Sequence, residues 1–158
     1  MPYDASKLLS GGIIKRDANR QGDTLVVLVH GSRRNSLQWQ SLLAIAGRDP
    51  DFDGCDLLVF KYLTGMRSRE RLQTLGQVLS DSVELYHEGY KRIVLIGYSL
   101  GGLIVRSALL HALGVSGTQQ KRRWSAFARR IVLMATPNRG LGGPGTALRQ
   151  RLKLRITR

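Results

Sequence analysis

The sequence contains a single cysteine, Cys55, among its 158 residues. An intrachain disulfide and a cysteine-rich metal site are therefore both excluded. It also lacks any apolar run near the roughly 18 to 20 residues of a membrane-spanning helix. The first residues do not combine a basic start with an apolar block, so no secretory signal is recognised. The lack of a recognised signal favours a cytoplasmic location. With 42% hydrophobic and 23% charged residues, we expect one globular domain.

Acidic residues are missing from residues 89–158. The first 88 residues carry 11 Lys or Arg and 11 Asp or Glu, whereas residues 89–158 carry 14 basic and no acidic side chains. Part of this excess lies in "KRRW" at Lys121–Trp124 and in "LRQRLKLRITR" from Leu148. Such runs usually form solvated faces, and weak contact with an anionic membrane or nucleic acid is the alternative. No zinc spacing, RNA-binding signature or basic heptad repeat supports that alternative.

Four short runs of aliphatic and β-branched residues predict strands that are buried on both faces. They are "TLVVLVH" (24–30), "DLLVFKY" (56–62), "RIVLIG" (92–97) and "RIVLMA" (130–135).

The segments between these runs predict helices. One carries apolar residues at three- and four-residue spacing from Leu72 to Tyr86 and ends near Gly89. Another follows Ser99, covers the sheet with residues such as Ile104 and Leu110, and ends at Gly114. Alternating strands and helices predict a three-layer α/β/α sandwich with a mainly parallel sheet. We assign residues 1–158 to one domain, with a core at 23–142 and a basic tail at 143–158.

A serine enclosed by glycines follows the third predicted strand, in "GYSLGG". G-x-S-x-G between a strand and a helix is the nucleophile-elbow pattern, in which the tight turn requires small residues two positions before and after the serine. The serine backbone is strained and its oxygen points outward, beside the positive N-terminus of the next helix. Ser99 is therefore the candidate nucleophile for attack on a carbonyl group.

The first predicted strand ends in "VLVHGS" at the same edge of the sheet. Acyl transfer passes through an oxyanion that requires N–H donors, each contributing about 2.7 to 4 kcal/mol. The amide of Leu100 supplies one donor, and the loop at Ser32 or Arg33 can supply the other.

Three segments resemble the lipase and serine-esterase branch of the α/β-hydrolase superfamily. They are "LVVLVHGS" with Trp39 downstream, "IVLIGYSLGGLIVRSAL" and "RIVLMATPNRG", and the match covers roughly residues 23 to 142. The resemblance implies that Ser99 is the nucleophile and that Leu100 and Ser32 provide the oxyanion amides. It also implies a small ester, thioester or lipid substrate, with no metal or cofactor.

The catalytic acid and histidine that this superfamily places after the serine are missing here. His111 is the only histidine after Ser99, and it lies about 18 Å further along the predicted helix. His87 precedes the strand and is about 16 Å away, at the opposite edge of the sheet. His30 is at the correct edge, but the resemblance gives it a role in shaping the loop, so it is only a substitute base. Glu70 is a candidate acid, with a solvated helix start as the default interpretation.

We therefore expect a fold that is incomplete at its C-terminus, with the familiar acid and histidine outside this sequence. Two hypotheses follow. The chain is a serine hydrolase that forms an acyl intermediate on Ser99, or it is a non-catalytic α/β-hydrolase-like scaffold that keeps the serine turn only as structure.

Overall fold

The structure, a computed structural model, describes residues 3–4, 8, 11–17, 19, 21–31, 36–62, 69–115 and 120–138. Within these ranges strands and helices alternate along the chain. The strands are β1 (Gly12–Ile14), β2 (Thr24–Val29), β3 (Cys55–Phe60), β4 (Arg92–Tyr98) and β5 (Ala128–Met134). The α-helices are α1 (Gln40–Ala46), α2 (Arg69–Tyr86) and α3 (Leu100–Ala112), and short 3-10 helices span Ser36–Trp39, Pro50–Phe52 and Arg123–Ala126.

The five strands form one sheet in the order β1-β3-β2-β4-β5. Strands β2 to β5 pair in parallel, and β1 pairs antiparallel with β3. Alternate residues of β2 point to opposite faces. Leu25 packs in a core with Leu79 of α2 and Ile104 of α3, whereas Leu28 packs in a second core with Leu43 of α1. Helices therefore cover both faces, and the predicted three-layer α/β sandwich is confirmed.

The predicted strand and helix positions agree with the structure to within about two residues. Gly89 and Gly114 follow the ends of α2 and α3 with φ of 85° and 71°, as helix-terminating glycines do. None of the helices in the described ranges has the length and apolar character needed to span a bilayer.

Two burial predictions were wrong. The fourth predicted strand is not buried on both faces, because β5 is the outermost strand of the described sheet and leaves Ile131 and Met134 partly exposed. Leu110 does not cover the sheet, since its position on α3 turns it away and it is 49% exposed. Strand β1 and helix α1 were not predicted.

Helices α2 and α3 pack closely where Gly76 meets Ser107. A Cβ atom at Gly76 would lie 2.5 Å from Ser107 Cβ and 2.9 Å from the amide nitrogen of Ala108. Such distances are shorter than van der Waals contact, so the absence of a side chain at Gly76 sets how closely the two helices approach.

We predict that Gly76→Ala destabilises the protein, although alanine is the better helix former by about 1 kcal/mol. The added methyl group forces the helices apart, which should lower the free energy of unfolding by about 1 to 3 kcal/mol in urea titration. Gln77→Ala, at an exposed position of the same helix, is the control. A Gly76→Ala protein as stable as this control would contradict the prediction.

Candidate active site

Ser99 lies at the junction between β4 and α3, at the carboxyl edge of the sheet. Its backbone has φ 53° and ψ −118°, a conformation that costs a residue with a side chain about 1 to 3 kcal/mol. Two backbone hydrogen bonds hold it there: Ser99 N–H donates to the Met134 carbonyl at 2.8 Å, and the Ser99 carbonyl accepts from Gly102 N–H at 3.1 Å. The side chain is half-buried, and no side chain of the described residues bonds to its hydroxyl.

Three glycines around Ser99 allow backbone segments to approach closely. A Cβ at Gly97 would lie 2.5 Å from Gly102 Cα, and one at Gly101 would overlap the carbonyl oxygens of Val29 and His30. A Cβ at Gly102 would instead overlap the side chain of Thr136. The small residues that the sequence pattern requires on either side of the serine are therefore required by packing.

Gly31, just after β2, touches the same turn. Because Val29 pairs with Gly97 in the sheet, the following residues of the two strands stay side by side. A Cβ at Gly31 would lie 3.3 Å from Ser99 Cβ and 3.0 Å from the Tyr98 ring. The His-Gly pair and the serine turn are thus neighbours, as expected from strands with a shared carboxyl edge. Ser32, the predicted second oxyanion donor, lies outside the described residues, and its role stays a prediction.

His30 is buried and both of its ring nitrogens have partners. Nδ1 lies 3.0 Å from the Gly31 carbonyl oxygen, and Nε2 lies 3.5 Å from the amide nitrogen of Tyr62. Its ring stacks on that of Tyr62 with centroids 4.3 Å apart. These contacts favour a structural role for His30 over its use as a substitute base. The sequence did not identify Tyr62 as a site residue. The signal available was a tyrosine as the last residue of the second predicted strand, which ends at the same edge of the sheet as the His-Gly pair.

The other candidate groups do not gather at Ser99. His87 follows α2 at the amino edge of the sheet, where its ring faces Phe127, and His111 occupies the last turn of α3. The imidazole of His111 is buried and has no hydrogen-bond partner among the described residues. Glu70 is the second residue of α2, and its side chain lies outside the described part of the chain.

Two cations of the "KRRW" run are ion-paired. Arg122 contacts Asp81 at 2.6 Å, and Arg123 contacts Glu88 at 3.6 Å. The backbone amides of Arg123 and Trp124 also donate to the Glu84 carboxylate. This run therefore packs against α2, and contact with an anionic partner stays a prediction.

A polar cleft of about 680 Å³ lies at the opposite, amino edge of the strands. Its central carboxylate, Asp56, is 1% exposed and accepts hydrogen bonds from the Tyr90 hydroxyl and the backbone amides of Arg16 and Gly22. Because Ser99 is at the other end of β4, this cleft is separate from the serine turn. Within the described ranges, no three His, Cys, Asp or Glu side chains converge on a metal-sized site.

A mainly parallel sheet covered by helices on both faces, with a strained serine between a central strand and a helix, defines an α/β-hydrolase-like fold. Residues 19–141 match the family described as "Putative serine esterase (DUF676)". The chain belongs to this family.

Two solved structures are similar to this chain, and the first of them supports the fold. The lipase BlEst2 of Bacillus licheniformis, in its propeptide form, aligns with 77% of this chain and 23% of its own, at 22% identity and a TM-score of 0.51. A lipase-esterase related protein from Clostridium acetobutylicum aligns with 73% of this chain and 42% of its own, at 19% identity and a TM-score of 0.49. This chain thus spans less than half the length of either protein. No curated protein gives a significant match.

We predict that Gly101→Ala and Gly102→Ala respond differently to a second substitution, Thr136→Ala. Both single variants should lose about 1 to 3 kcal/mol of unfolding free energy through overpacking. Thr136→Ala removes the hydroxyl and methyl group nearest to a Cβ at Gly102 and leaves only the Thr136 Cβ position at 2.9 Å, so it relieves most of the clash, whereas the carbonyl oxygens that face Gly101 cannot be removed. Urea unfolding of the double variants should show recovery only with Gly102→Ala; equal recovery in both would contradict this packing.

We also predict a loss of stability above pH 10 that depends on Tyr90. Burial, followed by its hydrogen bond to Asp56, raises the pKa of Tyr90 well above its usual range. As the pH rises, Tyr90 therefore ionises in the unfolded chain before it does so in the folded protein. Its contribution to the free energy of unfolding is complete below about pH 10 and falls at higher pH. Between pH 9 and pH 11 the unfolding free energy should fall by about 1 kcal/mol less in Tyr90→Phe than in the wild type. Identical pH dependences would contradict the prediction.

Proposed function

We propose that this chain is a serine hydrolase of the lipase and esterase type, which cleaves carboxylic esters or thioesters through an acyl intermediate on Ser99. The observation that carries the proposal is the Ser99 backbone, which has φ 53° at the start of α3 and no described side chain bonded to its hydroxyl. Strained backbone conformations of residues with side chains cluster at functional sites, where the surrounding structure maintains them. Membership of a serine esterase family supports the same interpretation.

In the proposed reaction, Ser99 Oγ forms a bond to the acyl carbon, and the carbonyl oxygen becomes an oxyanion. The amide of Leu100, the first residue of α3, and that of Ser32 donate hydrogen bonds to it. Collapse of this intermediate breaks the bond to the alcohol or thiol, which leaves with the proton that Ser99 lost. Water then attacks the acyl group, releases the acid and returns a proton to Ser99 Oγ.

A base has to accept the Ser99 proton for full activity. His87 and His111 lie away from the serine turn, and the two ring nitrogens of His30 are engaged with Gly31 and Tyr62. We therefore propose that the base and its acid are supplied from outside this sequence. Alone, the chain should show only the reactivity that an oxyanion site and substrate binding support, which in other serine hydrolases is about 10³ to 10⁴ over water.

The proposal predicts slow labelling of the folded chain by a fluorophosphonate probe. Labelling should occur at Ser99, detected by mass spectrometry of the modified peptide, and should disappear in Ser99→Ala and after heat denaturation. Ser82→Ala is the matched control, since the Ser82 hydroxyl bonds to the Val78 carbonyl of its own helix. This variant should be labelled like the wild type.

Two outcomes would overturn the proposal. A chain with native circular dichroism that is not labelled would favour the non-catalytic scaffold, in which Ser99 keeps only its structural place. Labelling that persists in Ser99→Ala would assign the reactivity to another residue.

A further inference from the structure

Tyr62, two residues beyond β3, holds His30, which follows β2 and lies next to the serine turn. Its hydroxyl donates to the His30 carbonyl oxygen at 2.6 Å, and its backbone N–H points to His30 Nε2 at 3.5 Å. The two rings are stacked, with an interplanar angle of 5°. The backbone and the side chain of His30 are thus both held by one residue that follows the neighbouring strand.

These contacts define the state of the His30 ring. A carbonyl oxygen can only accept, so Nδ1 donates to the Gly31 carbonyl and carries the proton. Nε2 is then the acceptor for the Tyr62 amide. In this tautomer the ring of His30 is bonded to the carbonyl group of Gly31, and the carbonyl group of His30 accepts from the Tyr62 hydroxyl.

The peptide held in this way also touches the serine turn. The position of a Cβ at Gly101 is only 2.5 Å from the His30 carbonyl oxygen, and that of a Cβ at Gly31 is 3.3 Å from Ser99 Cβ. Gly31 N–H faces Gln38 Oε1 at 3.4 Å, which is a long hydrogen bond. Among the described hydrogen bonds to the backbone of His30 and Gly31, the one from the Tyr62 hydroxyl is the shortest.

We propose that Tyr62 is a positioning residue: acting through His30, it holds the His30–Gly31 backbone against the Ser99 turn, at the point where the chain leaves β2 towards the predicted oxyanion donor. The inference rests on the proposed function, because the path of this backbone affects a reaction rate only if an oxyanion is bound beside it. Burial raises the pKa of the Tyr62 hydroxyl above its usual range, so the group stays a hydrogen-bond donor throughout the neutral pH range.

The first test compares Tyr62→Phe with Tyr90→Phe. Both remove one tyrosine hydroxyl that is hydrogen-bonded in the structure, and Tyr90 bonds to Asp56 at the opposite edge of the sheet. Tyr62→Phe keeps a ring that can stack on His30. A shift of about 1 Å in a catalytic group can cost up to about 10²-fold in rate. We therefore expect the rate constant for fluorophosphonate labelling to fall about 10- to 100-fold in Tyr62→Phe and less than twofold in Tyr90→Phe.

Kinetics with a short-chain p-nitrophenyl ester separate positioning from general loss of structure. For Tyr62→Phe we expect kcat to fall and KM to stay within about twofold of the wild-type value, because the oxyanion forms only after the substrate binds. Equal kinetics in Tyr62→Phe and the wild type would overturn the inference, as would equal losses in the two tyrosine variants.

Amide hydrogen exchange tests the contact without requiring activity. In Tyr62→Phe, peptides covering residues 30–38 should exchange at least about tenfold faster than in the wild type, while those covering β4 should not change. If the wild-type chain is not labelled, the proposed function fails, and this measurement still decides whether Tyr62 holds the loop. Unchanged exchange at 30–38 would overturn the inference in either case.

Discussion

The structure depends on direct backbone contact between the first turn of α3 and the ends of β2 and β4. Gly97 and Gly101 make this contact possible, because a side chain at either position would occupy space that neighbouring backbone atoms already fill. Because the helix packs so closely on the strands, Ser99 alone connects the end of β4 to the start of α3, and it does so with a positive φ. Packing of α3 on the sheet offsets the strain, so a conformation that is unfavourable in isolation persists in the folded chain.

The two edges of the sheet satisfy their polar groups in different ways. At the amino edge, the buried Asp56 carboxylate accepts hydrogen bonds from Tyr90 and from two backbone amides, which stabilises a charge that would otherwise be costly to bury. At the carboxyl edge, the polar groups of His30 are bonded to Tyr62 and Gly31, whereas no described side chain bonds to the Ser99 hydroxyl. The buried carboxylate of the amino edge is therefore fully engaged with the protein, whereas the Ser99 hydroxyl at the carboxyl edge has no partner among the described side chains.

Local patterns predicted the central elements well. A parallel strand covered on both sides needs continuous apolar residues, and β2 and β4 carry them, so their positions could be read directly. Helix ends at Gly89 and Gly114 were equally visible, since a positive φ favours glycine. Burial at the sheet edge was not predictable in this way. Ile131 and Leu110 have the same apolar character as core residues, and their exposure depends on which neighbours cover them.

The sequence by itself determined the strand-serine-helix turn, because the glycines and the serine that it requires are adjacent in the chain. It also determined that no acidic residue follows Glu88. Only the tertiary structure decided which distant residues meet. Tyr62 and His30 are 32 residues apart and touch because β2 and β3 pair in register, and Thr136 reaches Gly102 because β5 lies beside β4. Such contacts depend on strand order and register, which are set by the packing of the whole sheet, so the residues near either partner do not identify the pair.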